Sequence, residues 1–84
     1  MSVYSQEVEK IREIIAEILE VEVDQVEMDT DLVEELEADS MMALEIMATI
    51  EKELDIKIPE SELPNFGTLN EILSVLNSLK VANL

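Results

Sequence analysis

Asp39-Ser40 is the pair of residues in this 84-residue chain best placed to take part in chemistry. It stands where a polar approach, Glu35-Leu36-Glu37-Ala38, gives way to the apolar helical pattern that begins Met41-Met42-Ala43-Leu44. Asp is a strong N-cap because its carboxylate accepts the free backbone N–H groups of a first helical turn, which makes Ser40 the first residue inside the helix. The Ser40 hydroxyl is then expected to face solvent beside the positive helix end. A phosphate ester attached there gains from the dipole and from unpaired amides, while Glu37 and Asp39 repel it and offset part of that gain. The chain offers nothing to activate the hydroxyl. It has no Cys and no His, so the common general base, the zinc ligands and a protein thiolate are all missing, and no basic oxyanion clamp accompanies Ser40. Catalytic and metal-ligating residues are therefore not expected, and an Asp-Ser pair also begins many helices as a cap and nothing more. Asp29, Asp31, Glu34 and Glu35 invite a calcium reading, but the spacing lacks the third ligand and central Gly of an EF-hand loop.

The elements that must position Ser40 are helical. Val8, Ile11, Ile14, Ile15, Ile18 and Leu19 recur at threes and fours between charged residues, predicting an amphipathic helix over about 6–19 after a lead-in of Met1 to Ser5. Val21 to Asp39 reads as a long ordered loop held to the core by some of Val21, Val23, Val26, Met28, Leu32, Val33 and Leu36. A second helix over about 40–54 places Ala43, Ile46, Met47, Ile50 and Leu54 on one face, assigned to the core. Met41, Leu44 and Ala48 form another stripe bordered by Glu45, Glu51 and Asp55. It serves either as packing against the loop or another helix or as a docking surface for transient partners. Met42 is placed on the polar side. Pro59 and Pro64 leave room for one turn over 60–63. Thr68-Leu69-Asn70-Glu71 is a capping box opening a helix over 68–79, with Gly67 giving freedom before it, Phe66 anchoring the preceding loop, and Val81 to Leu84 fraying. The expectation is an all-α fold, a small four-helix bundle of three main helices and one short one with a long loop between the first and second, in a single domain over residues 1–84.

Leu36-x-Ala38-Asp39-Ser40-Met41, followed by Glu45, Ile46 and Glu51 and then Asp55-Ile56-x-Ile58-Pro59, resembles the carrier motif of acyl carrier proteins. The likeness extends over nearly the whole chain. It implies that Ser40 carries covalent 4′-phosphopantetheine derived from CoA, with Asp39 beside it, and that acyl intermediates are held on the arm's thiol as thioesters and moved between enzymes of fatty acid or polyketide biosynthesis. It implies partner contacts at Asp39, Met41, Leu44, Glu45, Ala48 and Glu51. Ala43, Met47, Ile50, Leu54 and Phe66 are candidates to line an acyl cleft, or are plain core. Glu37 stands where the family usually has Gly, and Met41 where it usually has Leu. On this reading Glu45→Lys with Glu51→Lys weakens partner binding and leaves the fold intact.

Composition narrows the partners. There are 21 Asp and Glu against 5 Lys and Arg, a formal charge of −16, so nucleic acid and anionic membrane surfaces are excluded as natural partners. Basic protein surfaces fit; which ones is implied by the resemblance alone, a phosphopantetheinyl transferase and then acyltransferases, ketosynthases and other biosynthetic enzymes with basic docking patches. With 48% hydrophobic residues the chain is no disordered tail, and its aliphatic, Met-containing core can readjust around an apolar guest. No signal-peptide pattern opens the chain and no apolar run approaches ~20 residues, which points to the cytoplasm. A monomeric, free-standing, non-catalytic carrier is expected. A D-alanyl or other specialised carrier, and an unmodified acidic helical adaptor that binds a partner helix, are the alternatives.

Overall fold

A computed structural model describes the backbone of residues 3–82 and the side chains of residues 6–79. Three α-helices form, α1 (Val3–Leu19), α2 (Ser40–Leu54) and α3 (Leu69–Ala82), with a short 3-10 helix at Glu60–Asn65 and a 3-10 turn at Val23–Gln25. The described residues contain no strand, and the bundle expected from periodicity is the one observed. α1 lies against both α2 and α3, and the 3-10 helix touches α2 and α3. The core is aliphatic: Ile11, Ile15, Leu32, Ile46, Ile50, Leu69 and Ile72 are essentially inaccessible, with Phe66 as its buried aromatic. The radius of gyration is 11.9 Å, about that of an ordinary folded chain of this length, so burial outweighs the repulsion among the carboxylates. No helix among the described residues is long and apolar enough to cross a membrane.

Helix limits depart from expectation in physically simple ways. α1 begins at Val3, because no Pro or Gly in that stretch stops the helix from extending toward the N-terminus. The 3-10 helix runs through Pro64, whose fixed φ suits 3-10 geometry, and closes with the Phe66 N–H bonding to the Leu63 carbonyl at 3.0 Å. At the start of α3, Thr68 Oγ1 accepts the Glu71 N–H at 3.1 Å, as a cap should. Glu71 Oε1, however, accepts the N–H of Gly67 at 3.1 Å, one residue earlier than a standard box. Gly67 therefore matters for close approach and not for a left-handed turn: a Cβ there would come within 2.7 Å of Glu71 Oε1. α3 continues through Ala82, three residues past the expected end at 79, so it takes in Val81 and Ala82 of the segment expected to fray. The part of that expectation concerning residues 83 and 84 lies outside the described residues.

Many carboxylates stabilise turns instead of pairing with cations. Asp31 Oδ1 accepts the N–H groups of Val33 (3.0 Å) and Glu34 (2.9 Å), and Glu35 Oε2 accepts that of Asp31 (3.1 Å). Such charge-assisted bonds satisfy loop amides without the attraction of a basic partner. Lys10 to Glu53 (3.0 Å) and Arg12 to Glu9 (3.1 Å) are ion pairs, the first joining α1 to α2.

Glu20, Glu37 and Asp55 hold left-handed backbone conformations, with φ of 58°, 59° and 54°. This conformation costs an L-residue about 1–2 kcal/mol, and glycine avoids that cost. Glu37 occupies the position where the carrier motif usually has Gly, so the family preference has a backbone cause. Glu37→Gly relieves strain but frees the unfolded chain, which offsets about 0.4–1 kcal/mol of the gain. The expected net result is a stabilisation of about 0.5 kcal/mol, read as a slightly higher denaturation midpoint.

Candidate phosphopantetheine site

The loop reaches Ser40 through a series of anchors. Val26 and Leu32 are buried, with Val21, Met28 and Leu36 packed at the edge of the core, whereas Val23 and Val33 are exposed and do not hold the loop down. Leu32 donates its N–H to the Gly67 carbonyl (2.9 Å), and Asn70 donates its backbone N–H to Met28 (3.0 Å). Asn70 Nδ2 also bonds Asp29 Oδ1 at 2.6 Å. These bonds tie the first loop to Gly67 and to the first turn of α3. The Ala38 N–H then bonds the Leu32 carbonyl (2.9 Å), and the chain turns at Glu37 into α2.

Asp39 has extended backbone geometry, and its Oδ1 accepts the Met42 N–H at 2.9 Å. Its carbonyl accepts the N–H of Ala43 at 2.9 Å, making Ser40 the first residue of α2. Both placements agree with the sequence. Ser40 is exposed, and its hydroxyl makes no hydrogen bond with the described residues. Since Asp39 occupies the Met42 amide, the N–H groups of Ser40 and Met41 remain for an attached phosphate. Asp39→Ala is expected to cost about 1 kcal/mol through loss of the cap, lowering Tm by roughly 4–8 °C without changing the helical circular dichroism of the folded state.

Beside Ser40 runs an open groove of ≈ 570 Å³, lined by Val33, Ala38, Asp39, Ser40, Ala43, Leu63, Pro64, Phe66 and Gly67. Of the cleft residues expected from sequence, it brings Ala43 and Phe66 to Ser40. Met47 (3% exposed) and Ile50 (0%) lie in the closed core, and Leu54 is half-buried away from the groove. Val33, Leu63, Pro64 and Gly67 were not foreseen, because the loop-to-α3 bonds that assemble the groove have no local signature. The apolar lining and the unbonded hydroxyl fit a phosphate-linked arm with an apolar load.

The second stripe of α2 is exposed: Met41 is 78% accessible and Leu44 39%, and Ala48 and Glu45 are open to solvent. It lies roughly opposite the core face, so the alternative that it packs inside the chain is removed. Met42 is a correction. It is half-buried and packed on the core, being one turn before buried Ile46. Glu51 is also engaged. Its Oε2 accepts the Ile58 N–H at 2.7 Å, holding down the 55–58 segment, so Glu51→Lys removes this acceptor and disturbs the fold there, contrary to the expectation that the variant leaves it intact.

The family model described as "Phosphopantetheine attachment site" matches residues 9–76. The chain is 39% identical over 70 residues to polyketide-8 synthase acyl carrier protein 2 of Streptomyces avermitilis, covering 83% of this chain and 80% of that protein. It is 35% identical over 71 residues to the acyl carrier protein of Borrelia garinii subsp. bavariensis (84% and 89% covered). With that of Clostridium perfringens the identity is 31% over 68 residues (81% and 90%). A helical bundle with a capped, exposed serine beside an apolar groove, matched along most of its length to carriers of this kind, belongs to the acyl carrier protein family, whose cofactor is phosphopantetheine.

Proposed function

We propose that Ser40 is the residue that carries 4′-phosphopantetheine, and that the chain holds acyl intermediates and moves them between enzymes of fatty acid or polyketide biosynthesis without catalysing a reaction itself. The observation that carries this reading is the unbonded, exposed Ser40 hydroxyl at the first position of α2, at the edge of the apolar groove. When bound, the group supplies a terminal thiol on which acyl units travel as thioesters. The protein's own residues do the rest. Asp39 fixes the start of α2, the amides of Ser40 and Met41 are left unused by the cap and would be open to the phosphate, and Ala43, Leu63, Pro64 and Phe66 offer apolar surface to cargo. Tethering raises the effective concentration of cargo at whichever active site has docked. The Met41/Leu44/Ala48 strip, with Asp39 and Glu45 at its border, is the surface for the transferase and for synthases with basic patches. The Streptomyces relative, named for a polyketide synthase, supports polyketide cargo.

The test is intact mass after incubation with CoA and a broad-specificity phosphopantetheinyl transferase, followed by peptide mapping. A gain of one phosphopantetheine on the peptide containing Ser40 is expected. No gain with two unrelated transferases would favour the acidic adaptor.

A further inference from the structure

Lys52 interrupts the docking strip. At about 100° per residue it projects within roughly 20° of both Met41 and Glu45, about 16 Å and 10 Å further along α2 respectively. It is exposed, and no carboxylate among the described residues lies within ion-pairing distance of it. Of its acidic neighbours, Glu53 pairs with Lys10 on α1, Glu51 keeps its charge while holding the Ile58 amide, and exposed Asp55 closes the helix three residues on; none of them reaches Lys52. The strip therefore carries an unneutralised cation at its far end, set beside the carboxylates of Glu51 and Asp55, whereas its Ser40 end carries Asp39 and Glu45 and no cation of α2. In a chain with a charge of −16, an unpaired cation on that line gives the surface a direction.

We propose that Lys52 is a specificity-determining residue that limits how far down α2 a partner's basic patch extends. The inference rests on the reading of the strip as a docking surface. The fitting partner is a protein whose lysines and arginines gather within about 10 Å of the Ser40 end and whose surface beyond is neutral or acidic. A basic patch running the full length of α2 meets Lys52 with like charge, which slows encounter and misaligns the docked pair. The role of Lys52 at the negative end of the helix is compatible with this and is separated from it by the choice of variants.

The probe is a broad-specificity phosphopantetheinyl transferase whose docking face is lined with lysine and arginine along the whole of α2. Modification is followed by kcat/KM at low and high ionic strength for the parent, Lys52→Glu, Lys52→Gln and Glu45→Lys. Lys52→Glu is expected to raise kcat/KM about 3–10-fold at low salt, chiefly through KM, with Lys52→Gln between it and the parent. The gain disappears at high salt, where the screening length falls to about 3 Å. Melting curves of the same variants register the change at the helix end. If Glu45→Lys lowers kcat/KM but Lys52→Glu leaves it unchanged or lowers it, the role given to Lys52 is overturned and the docking strip stands. If Glu45→Lys is also without effect, the docking surface itself is wrong.

Discussion

Ser40→Ala is expected to take up no phosphopantetheine under conditions that fully convert the parent chain, while its stability stays within about 0.5 kcal/mol of the parent. The two halves of this result have separate causes. Modification needs a hydroxyl, and in this chain Cys is absent, so the transferase has no better nucleophile to attack. Other described hydroxyls are placed differently. Thr30 and Thr68 accept backbone N–H groups, and Thr49 donates to the Glu45 carbonyl at 2.8 Å. Ser74 and Ser78 sit within α3, where helix bonding uses the amides that would otherwise face a phosphate, and exposed Ser61 lies in the six-residue 3-10 helix and does not line the groove. Ser40 alone among them combines a free hydroxyl, the start of a long helix and an apolar groove. Stability barely changes because Asp39, and not Ser40, provides the cap, and Ala is a good helix former at the first turn. The measurement is intact mass beside a denaturant melt on one sample of each protein. Residual modification of Ser40→Ala would move the attachment point elsewhere, and a large loss of stability would show that Ser40 has a structural role.

The legible parts of this protein are those with short-range causes. The limits of α2 could be read because a capping Asp, an apolar period and an ending at Leu54-Asp55 are all local signals. The stripe of Met41 and Leu44 could be drawn from its angle to the core face, but its exposure was left open between packing and docking, because whether the loop or another helix covers it is decided by tertiary contacts. Met42 was misread because a helical wheel drawn around Ala43 and Ile50 places it at the border, while burial of Ile46 one turn later extends the core to it. The groove was only half legible. Ala43 could be read from the helix and Phe66 from its being the sole Phe, but Val33 and Gly67 come together through hydrogen bonds between segments more than thirty residues apart. Glu51 is an instance of the same limit. As a number on a helix it looks like part of a charged border, and only the folding back of Asp55 to Ile58 gives its carboxylate a backbone amide.

Ile50→Ala is expected to have the largest effect on stability and to decide whether Ile50 belongs to the core or to a cleft that opens for cargo. Ile50 is fully buried at the middle of the core face of α2, among Ile11, Ile15, Ile46 and Ile72. Removing its branched side chain loses transfer energy and leaves a cavity, about 3 kcal/mol in all. A chain of this length has about 4–13 kcal/mol to lose, so Tm should fall by roughly 12–24 °C. Salt separates the contributions. Screening reduces the self-repulsion of a charge of −16, so both proteins gain stability as salt is added, but the deleted atoms carry no charge and the difference between the proteins stays constant. Denaturant melts at several ionic strengths would read both quantities. A loss below about 1 kcal/mol would mean that the site is readily rearranged or reached by solvent, as a cleft wall would be, and would return Ile50 to the acyl-binding surface. The expected loss leaves the groove of Val33, Ala43, Leu63, Pro64 and Phe66 as the place beside Ser40 where an apolar cargo can lie without opening the core.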